Sequence, residues 1–205
     1  MPASGKQKSG AKKATAKKSP SKSAKPSTGK VSGIQGRMPE VDGLDAVALL
    51  EADHRAVEQL FAAFEKASSD AEKRDIANGI CVALKVHARL EEELFYPAAA
   101  KVLNDTSLVD EALVEHASAK DLIAQIEAGA PGQALFDARV KVLGEYIDHH
   151  VTEEEDEIFP QCRSSNLDLA TLGAVMASRR QELSLGFVAS NPVIGLANAR
   201  SDANA

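Results

Sequence analysis

Tryptophan is missing from this chain of 205 residues, aromatic side chains make up 4% of it, and it has only two cysteines. Cys81 and Cys162 cannot build a disulfide framework, which removes the small cross-linked secreted scaffolds and points to a reducing compartment. No stretch approaches the roughly 18–20 apolar residues of a membrane span, so no membrane partner is expected. The basic N-terminus lacks the apolar core of a secretory signal, leaving the cytoplasm as the expected address. Acidic residues are missing altogether from residues 1–37, which hold nine lysines and Arg37. The rest of the chain carries 14 basic against 30 acidic side chains, so the net charge of −6 joins two objects of opposite sign.

Residues 1–40 consist largely of Lys, Ala, Ser, Pro, Thr and Gly and have little to bury, so this segment is expected to be a disordered basic tail. The run from Ala11 to Pro20 resembles the tails of linker histones and lysine-rich nucleoid proteins. Residues 6–37 would then contact nucleic acid phosphates without sequence preference, and the protein would associate with the nucleoid. The alternative is a solubilising tail, or one that folds back on the acidic remainder.

Between residues 43 and 160 glycine and proline are sparse, and apolar positions recur in steps of three and four. This pattern predicts an all-α domain over 41–186, an antiparallel four-helix bundle with a short fifth helix. The helices are expected at about 44–67, 71–96, 106–128, 133–159 and 167–185. Gly186 would close the last one, and residues 187–205 would form a flexible tail. Pro97 and Pro160 are expected to disrupt their helices near the C-terminal ends.

Hydrophobic residues make up 44% of the chain, enough for a core, yet the predicted buried stripes also carry histidine and glutamate. His87-x-x-x-Glu91 and His150-x-x-x-Glu154 repeat one motif, and His54 and His116 precede them by 33 and 34 residues. Each half meets a proline ten residues after its second histidine. The flanks repeat as well: Asp53-His54 matches Glu115-His116, and Glu91-Glu92 matches Glu154-Glu155. A spacing of four stacks imidazole and carboxylate on one helical face, where both can reach one ion. Buried carboxylates must be neutralised, paired or bound to metal, since a bare one costs several kcal/mol. The expected site places His54 and His87 on one ion and His116 and His150 on a second, with Glu91 and Glu154 as bridges. Nitrogen and oxygen donors without thiolate suit iron or manganese, and zinc less specifically.

At these residues the chain resembles the hemerythrin HHE cation-binding family, over roughly residues 44–185. The matching pieces are Asp53-His54-Arg55, His87 through Pro97, Glu115-His116 and His150 through Pro160. The resemblance implies a bundle around a non-haem pair of iron ions, used with dioxygen, peroxide or nitric oxide, or in iron handling. Lys120 stands where the oxygen carriers have a further histidine, and Glu155 where they have an aspartate. This departure leaves both ions with open positions and speaks against reversible oxygen carriage. The related iron–sulfur repair proteins carry an additional histidine, and often a cysteine-bearing N-terminal domain, which this chain lacks.

Other residues hold the periphery of the expected site. Glu58, Glu92, His149 and Glu155 are expected as second-layer or alternative ligands, with a solvated side chain as the other reading of Glu58; His149 points about 100° away from His150 on a helix. Glu92 also reads as part of a charged outer face, with Glu93, Asp156 and Glu157. Tyr96 is expected to pack near a helix end, with hydrogen bonding to the site as the alternative. Three functional classes follow: a binding or sensing protein for a small oxidant, a catalase-like peroxide-consuming enzyme, and a metal-stabilised nucleic-acid module that uses the tail.

Overall fold

Asp45 opens the first helix, α1 (Ala46–Lys66), by accepting a hydrogen bond from the Ala48 amide at 2.8 Å. The computed structural model describes residues 39, 41 and 43–190, the last four as backbone only, and all regular structure among them is helical. Ser69 caps α2 (Asp70–Leu90) in the same way, through the Glu72 amide. The chain continues through a π-turn at Glu91–Phe95 into α3 (Tyr96–Ala99). Next come α4 (Ser107–Ala128), ended at Gly129, and α5 (Phe136–Glu153). A second π-turn at Glu154–Ile158 leads into α6 (Phe159–Ser164), and α7 spans Leu169–Ser190.

The apolar residues sort into two clusters, and the order in which each helix visits them gives the topology. One cluster holds Leu49, Leu50, Leu90, Phe95, Val109, Ala112, Ile158 and Phe159. The other holds Val57, Leu60, Ile80, Leu84, Ile123, Ile126, Phe136 and Leu143. Helix α1 runs from the first to the second, α2 returns, α4 repeats the outward path and α5 returns again. This is an antiparallel bundle, up-down-up-down. Each helix changes cluster at its histidine, so His54, His87, His116 and His150 form a polar layer between two apolar halves.

The disruption expected at the two prolines takes the form of a widened turn directly before each. Neither Pro97 nor Pro160 ends its helix; each sits in the first turn of the short helix that follows a π-turn. A proline ring inside an α-helix clashes with the carbonyl four residues back and leaves it without a donor. The wider turn avoids this, as the Tyr96 and Phe159 amides reach back five residues to the carbonyls of Glu91 and Glu154. The π-turns therefore begin at the two glutamates singled out above, and such turns are frequent at functional sites.

The fifth helix is longer than expected: α7 passes through Gly186 and continues to Ser190. It adds Met176 and Leu183 to the first apolar cluster and packs against α1 and α2. Of the expected basic tail 1–40, residues 1–38 and 40 lie outside the described residues, as do residues 191–205 of the expected C-terminal tail 187–205. Among those described, no helix is long and apolar enough to cross a membrane.

Contact between α7 and the start of α1 depends on Gly173. A Cβ there would stand 2.5 Å from the Leu44 carbonyl oxygen and 2.7 Å from the Ala46 nitrogen, both rigid backbone atoms. We expect Gly173→Ala to destabilise the fold by about 1–3 kcal/mol, the usual cost of overpacking, read as a lower urea midpoint at unchanged slope. An unaltered midpoint would mean that α7 does not dock on α1 this closely.

Candidate metal centre

Four imidazoles and two carboxylates meet in the polar layer, and all are nearly or fully excluded from solvent. His54 and His87 face each other with their Nε2 atoms 3.1 Å apart, and His116 and His150 do the same at 3.2 Å. Glu91 lies between the pairs. Its Oε1 is 3.1 Å from Nε2 of His87 and its Oε2 is 3.3 Å from Nε2 of His116. Oε2 of Glu154 stands 3.4 Å from Nε2 of His54 and 3.6 Å from Nε2 of His150.

Two donor groups result, and they share a residue. His54, His87, Glu91 and Glu154 each present one donor atom within 4.8 Å of the others, as do Glu91, His116 and His150. Glu91 is completely buried, yet neither of its oxygens accepts a hydrogen bond, and Oε2 of Glu154 is equally without one. Such groups carry a penalty of a few kcal/mol unless something satisfies them. Donors bound to one ion at 2.0–2.2 Å stand about 3.0–3.4 Å apart, which is the range of most of these contacts. The residues present fit metal cations.

A second layer of acids orients the rings. Glu155 accepts from Nδ1 of His54 at 2.8 Å, Glu92 from Nδ1 of His116 at 2.8 Å, and Glu115 from Nδ1 of His150 at 2.7 Å. Each of these rings thereby turns its Nε2 inward, the arrangement in which an outer carboxylate strengthens an imidazole as a metal ligand. Basic residues then neutralise the acids: Arg55 pairs with Glu155, and Lys120 with Glu92 at 2.7 Å. The layer is cross-linked between halves, since the acid after each buried glutamate holds the first histidine of the other half.

Of the two readings of Glu92, second-layer acid and outer charged face, the structure shows the first: it turns inward to His116. Tyr96 is another difference: it is fully buried, and its hydroxyl donates to Oε1 of Glu154 at 2.9 Å and lies 3.4 Å from Nε2 of His116. The equivalent residue in the other half is Phe159, which stacks on His54. Glu58 does not join the site; it is 71% exposed and pairs with Arg55 on its own helix. His149 is 67% exposed and stands among Glu115 and Glu153 on the surface, so it does not replace His150. Asp53 and Glu115 were visible in the sequence only as an acid repeated before each first histidine. Arg180, buried against Asp53, had no sequence signal.

A cavity of about 30 Å3 opens beside the four imidazoles, walled by Val57, Leu84, Ala119, Ile123 and Ile147. A space of that size holds a water or a molecule of two or three heavy atoms. The thiols stay out of the centre. Burial pushes Cys81 up to about 12 and Cys162 up to about 11, and both remain protonated within the apolar clusters.

The domain that carries this geometry matches a known family: residues 45–162 fit the hemerythrin HHE cation binding domain. The chain belongs to the hemerythrin HHE cation-binding family. Family membership makes cation binding the shared property of this bundle. The crystal structure of a hemerythrin HHE cation binding domain-containing protein from Mycobacterium kansasii superposes with a TM-score of 0.63 at 21% identity. The match covers 72% of this chain and 93% of that one, which shows a common fold. A curated protein named DNA nickase, from Nostoc sp. (strain PCC 7120 / SAG 25.82 / UTEX 2576), is 27% identical over 117 residues. That stretch is 57% of this chain and 33% of the relative, so the match spans about a third of the nickase's length.

Without metal, the buried groups must neutralise one another. Burial opposes charge on His87, but Glu91 and Asp53 outweigh it and hold the imidazolium well above its ordinary 6.5. Burial likewise opposes charge on His54 and His116, and their carboxylate partners raise both. Burial would raise Glu91, yet His87 and His116 hold it well below its ordinary 4.5. The raised imidazoles stabilise the fold below 6.5, and this is lost as pH climbs through their folded values; the Glu91 contribution is present above 4.5 and lost as pH falls through its depressed value. Metal-free protein should therefore be more stable at about pH 5.5 than at about pH 8. Cations displace those protons, so added divalent metal should stabilise more at the higher pH. Urea midpoints at both pH values, with and without metal, check this; parallel trends would contradict it.

Proposed function

We propose that the centre holds two iron ions and that the protein binds, senses or reacts with a small oxidant: dioxygen, peroxide or nitric oxide. The observation that carries this reading is Glu91, sealed from solvent between two histidine pairs with both oxygens unsatisfied. Nitrogen and oxygen donors with no thiolate favour iron, with manganese or zinc as the alternatives. A bound iron pair supplies Lewis acidity and redox capacity to a ligand at an open position.

The side chains contribute orientation, exclusion and a proton. His54 and His87 would hold one ion, His116 and His150 the other, with Glu91 and Glu154 shared. Glu92, Glu115 and Glu155 fix the rings. The apolar cavity admits a molecule of a few atoms and keeps bulk water away from the ligands. Tyr96 holds Glu154 by its hydroxyl, and burial beside Glu91 and Glu154 keeps that phenol protonated well above its ordinary 10. Tyr96 thus places a hydroxyl donor at the heart of the site, on the side of His116.

Two further readings use the same centre. Catalase-like turnover would add cycling of the pair by peroxide, and oxygen evolution is its signature. Association with nucleic acid would use the net positive residues 6–37, which lie outside the described residues. The charge contrast between that segment and the acidic remainder supports it, and the name of the Nostoc relative is compatible with it.

Anaerobic iron titration should give two ions per chain, followed by new charge-transfer absorption on addition of oxygen, peroxide or nitric oxide. Fewer than two ions, or a spectrum indifferent to all three oxidants, removes the proposal. Glu91→Ala should abolish binding of both ions, because one carboxylate serves two positions, whereas His54→Ala or His116→Ala should each retain one. Deleting residues 1–37 should weaken retention on DNA and flatten its salt dependence. If the full and shortened chains are retained equally, the segment has no part in nucleic acid binding.

A further inference from the structure

Three of the four clustered imidazoles have an outer carboxylate on Nδ1 at 2.7–2.8 Å, and the fourth does not. Nδ1 of His87 is 3.7 Å from Oδ2 of Asp53, and both atoms are buried without a hydrogen-bond partner. The internal repeat gives this gap its meaning. Asp53 precedes His54 as Glu115 precedes His116, and Glu115 does reach its ring, His150. Asp53 is one methylene shorter, and its other oxygen is taken by the guanidinium of Arg180.

Arg180 belongs to α7, outside the repeated half-bundles, and is only 4% exposed. It is anchored further by donating to the Pro39 carbonyl at 3.0 Å. On the Glu115 side, among the described residues, the free oxygen faces only the exposed His149 at 3.8 Å. A carboxylate on Nδ1 fixes the tautomer of a ligating histidine and raises its donor strength. Held by Arg180, Asp53 reaches His87 through its charge alone and makes no hydrogen bond that would fix the tautomer of the ring.

We propose that Arg180 is a positioning residue that withholds Asp53 from His87, making His87 the least firmly held histidine ligand and the two ion positions unequal. The bundle alone is close to two-fold symmetric in its ligands; α7 makes it asymmetric from outside. This inference rests on the two-ion reading, and one experiment separates them.

Full-length metal-free protein is titrated with Co2+ against a competing chelator, with the visible cobalt bands followed throughout. Wild type binding fewer than two ions would remove both the two-ion reading and this inference. With two ions bound, Arg180→Met should free Asp53 to turn to His87, tightening the weaker ion by roughly 10- to 100-fold and shifting its cobalt bands. A purely structural role for Arg180 predicts weaker binding instead, and unchanged or weakened affinity overturns the proposal. Should Arg180→Met not fold, the paired variant Asp53→Leu/Arg180→Met removes the ion pair as a unit, a replacement that buried pairs often tolerate. It should keep both ions within about threefold of wild type, while Glu115→Gln, which loses a ring-holding acid, should weaken binding by roughly 10- to 100-fold. A loss in the paired variant as large as that in Glu115→Gln would show that Asp53 already supports His87, and would overturn the proposal.

Discussion

Two carboxylates buried among four imidazoles set the terms for the rest of this bundle. Glu91 and Glu154 lie in the polar layer between the two apolar clusters, and their charge cannot be met by water. Everything around them answers that constraint in layers. The imidazoles face them, outer acids face three of the imidazoles, and Arg55, Lys120 and Arg180 face the acids. The alternation of sign reaches the protein surface within a few residues, so the centre is neutralised without bulk solvent. Two apolar clusters flank the layer and supply the burial that holds it together.

The same residues that build the layer also shape the backbone. A regular α-helix could not have carried Glu91, Glu92 and Tyr96 to three different tasks in one site. The π-turn from Glu91 to Phe95 changes the phase of the helix, so Glu92 meets His116 and Tyr96 meets Glu154. Its counterpart from Glu154 to Ile158 brings Glu155 to His54 and Phe159 onto the same ring. Proline six positions after each glutamate is compatible with that wide turn and hostile to a regular one. Near-symmetry then breaks where the halves differ in sequence: tyrosine against phenylalanine at 96 and 159, aspartate against glutamate at 53 and 115, lysine against glutamate at 120 and 58. These differences give the two ends of the centre different chemistry within one scaffold.

Much of this was legible in the chain. The steps of three and four residues marked the four long helices, and the repeated histidine and glutamate spacing marked the faces that meet. The limits are equally physical. Spacing fixes which side chains share a helical face only while the helix stays regular, so the inward hydroxyl of Tyr96 was obscured by the π-turn. Proline reads locally as a helix breaker, and only the widened turn shows why Pro97 and Pro160 did not stop their helices. Glu58 shares a helical face with His54 in the sequence, but it extends to solvent and pairs with Arg55.

The sequence by itself determined the helical class, the duplicated half-bundle and the six nitrogen and oxygen donors that point inward. It could do so because helical periodicity and four-residue spacing are local properties of the chain. Only the tertiary structure decided that the halves exchange their outer acids, that α7 places Arg180 on Asp53, and that Tyr96 faces Glu154. Those pairings join residues 24 to 127 positions apart on different helices, and nothing in local periodicity sets such partners. They follow from how the helices pack around a layer of charge that must be satisfied within the protein.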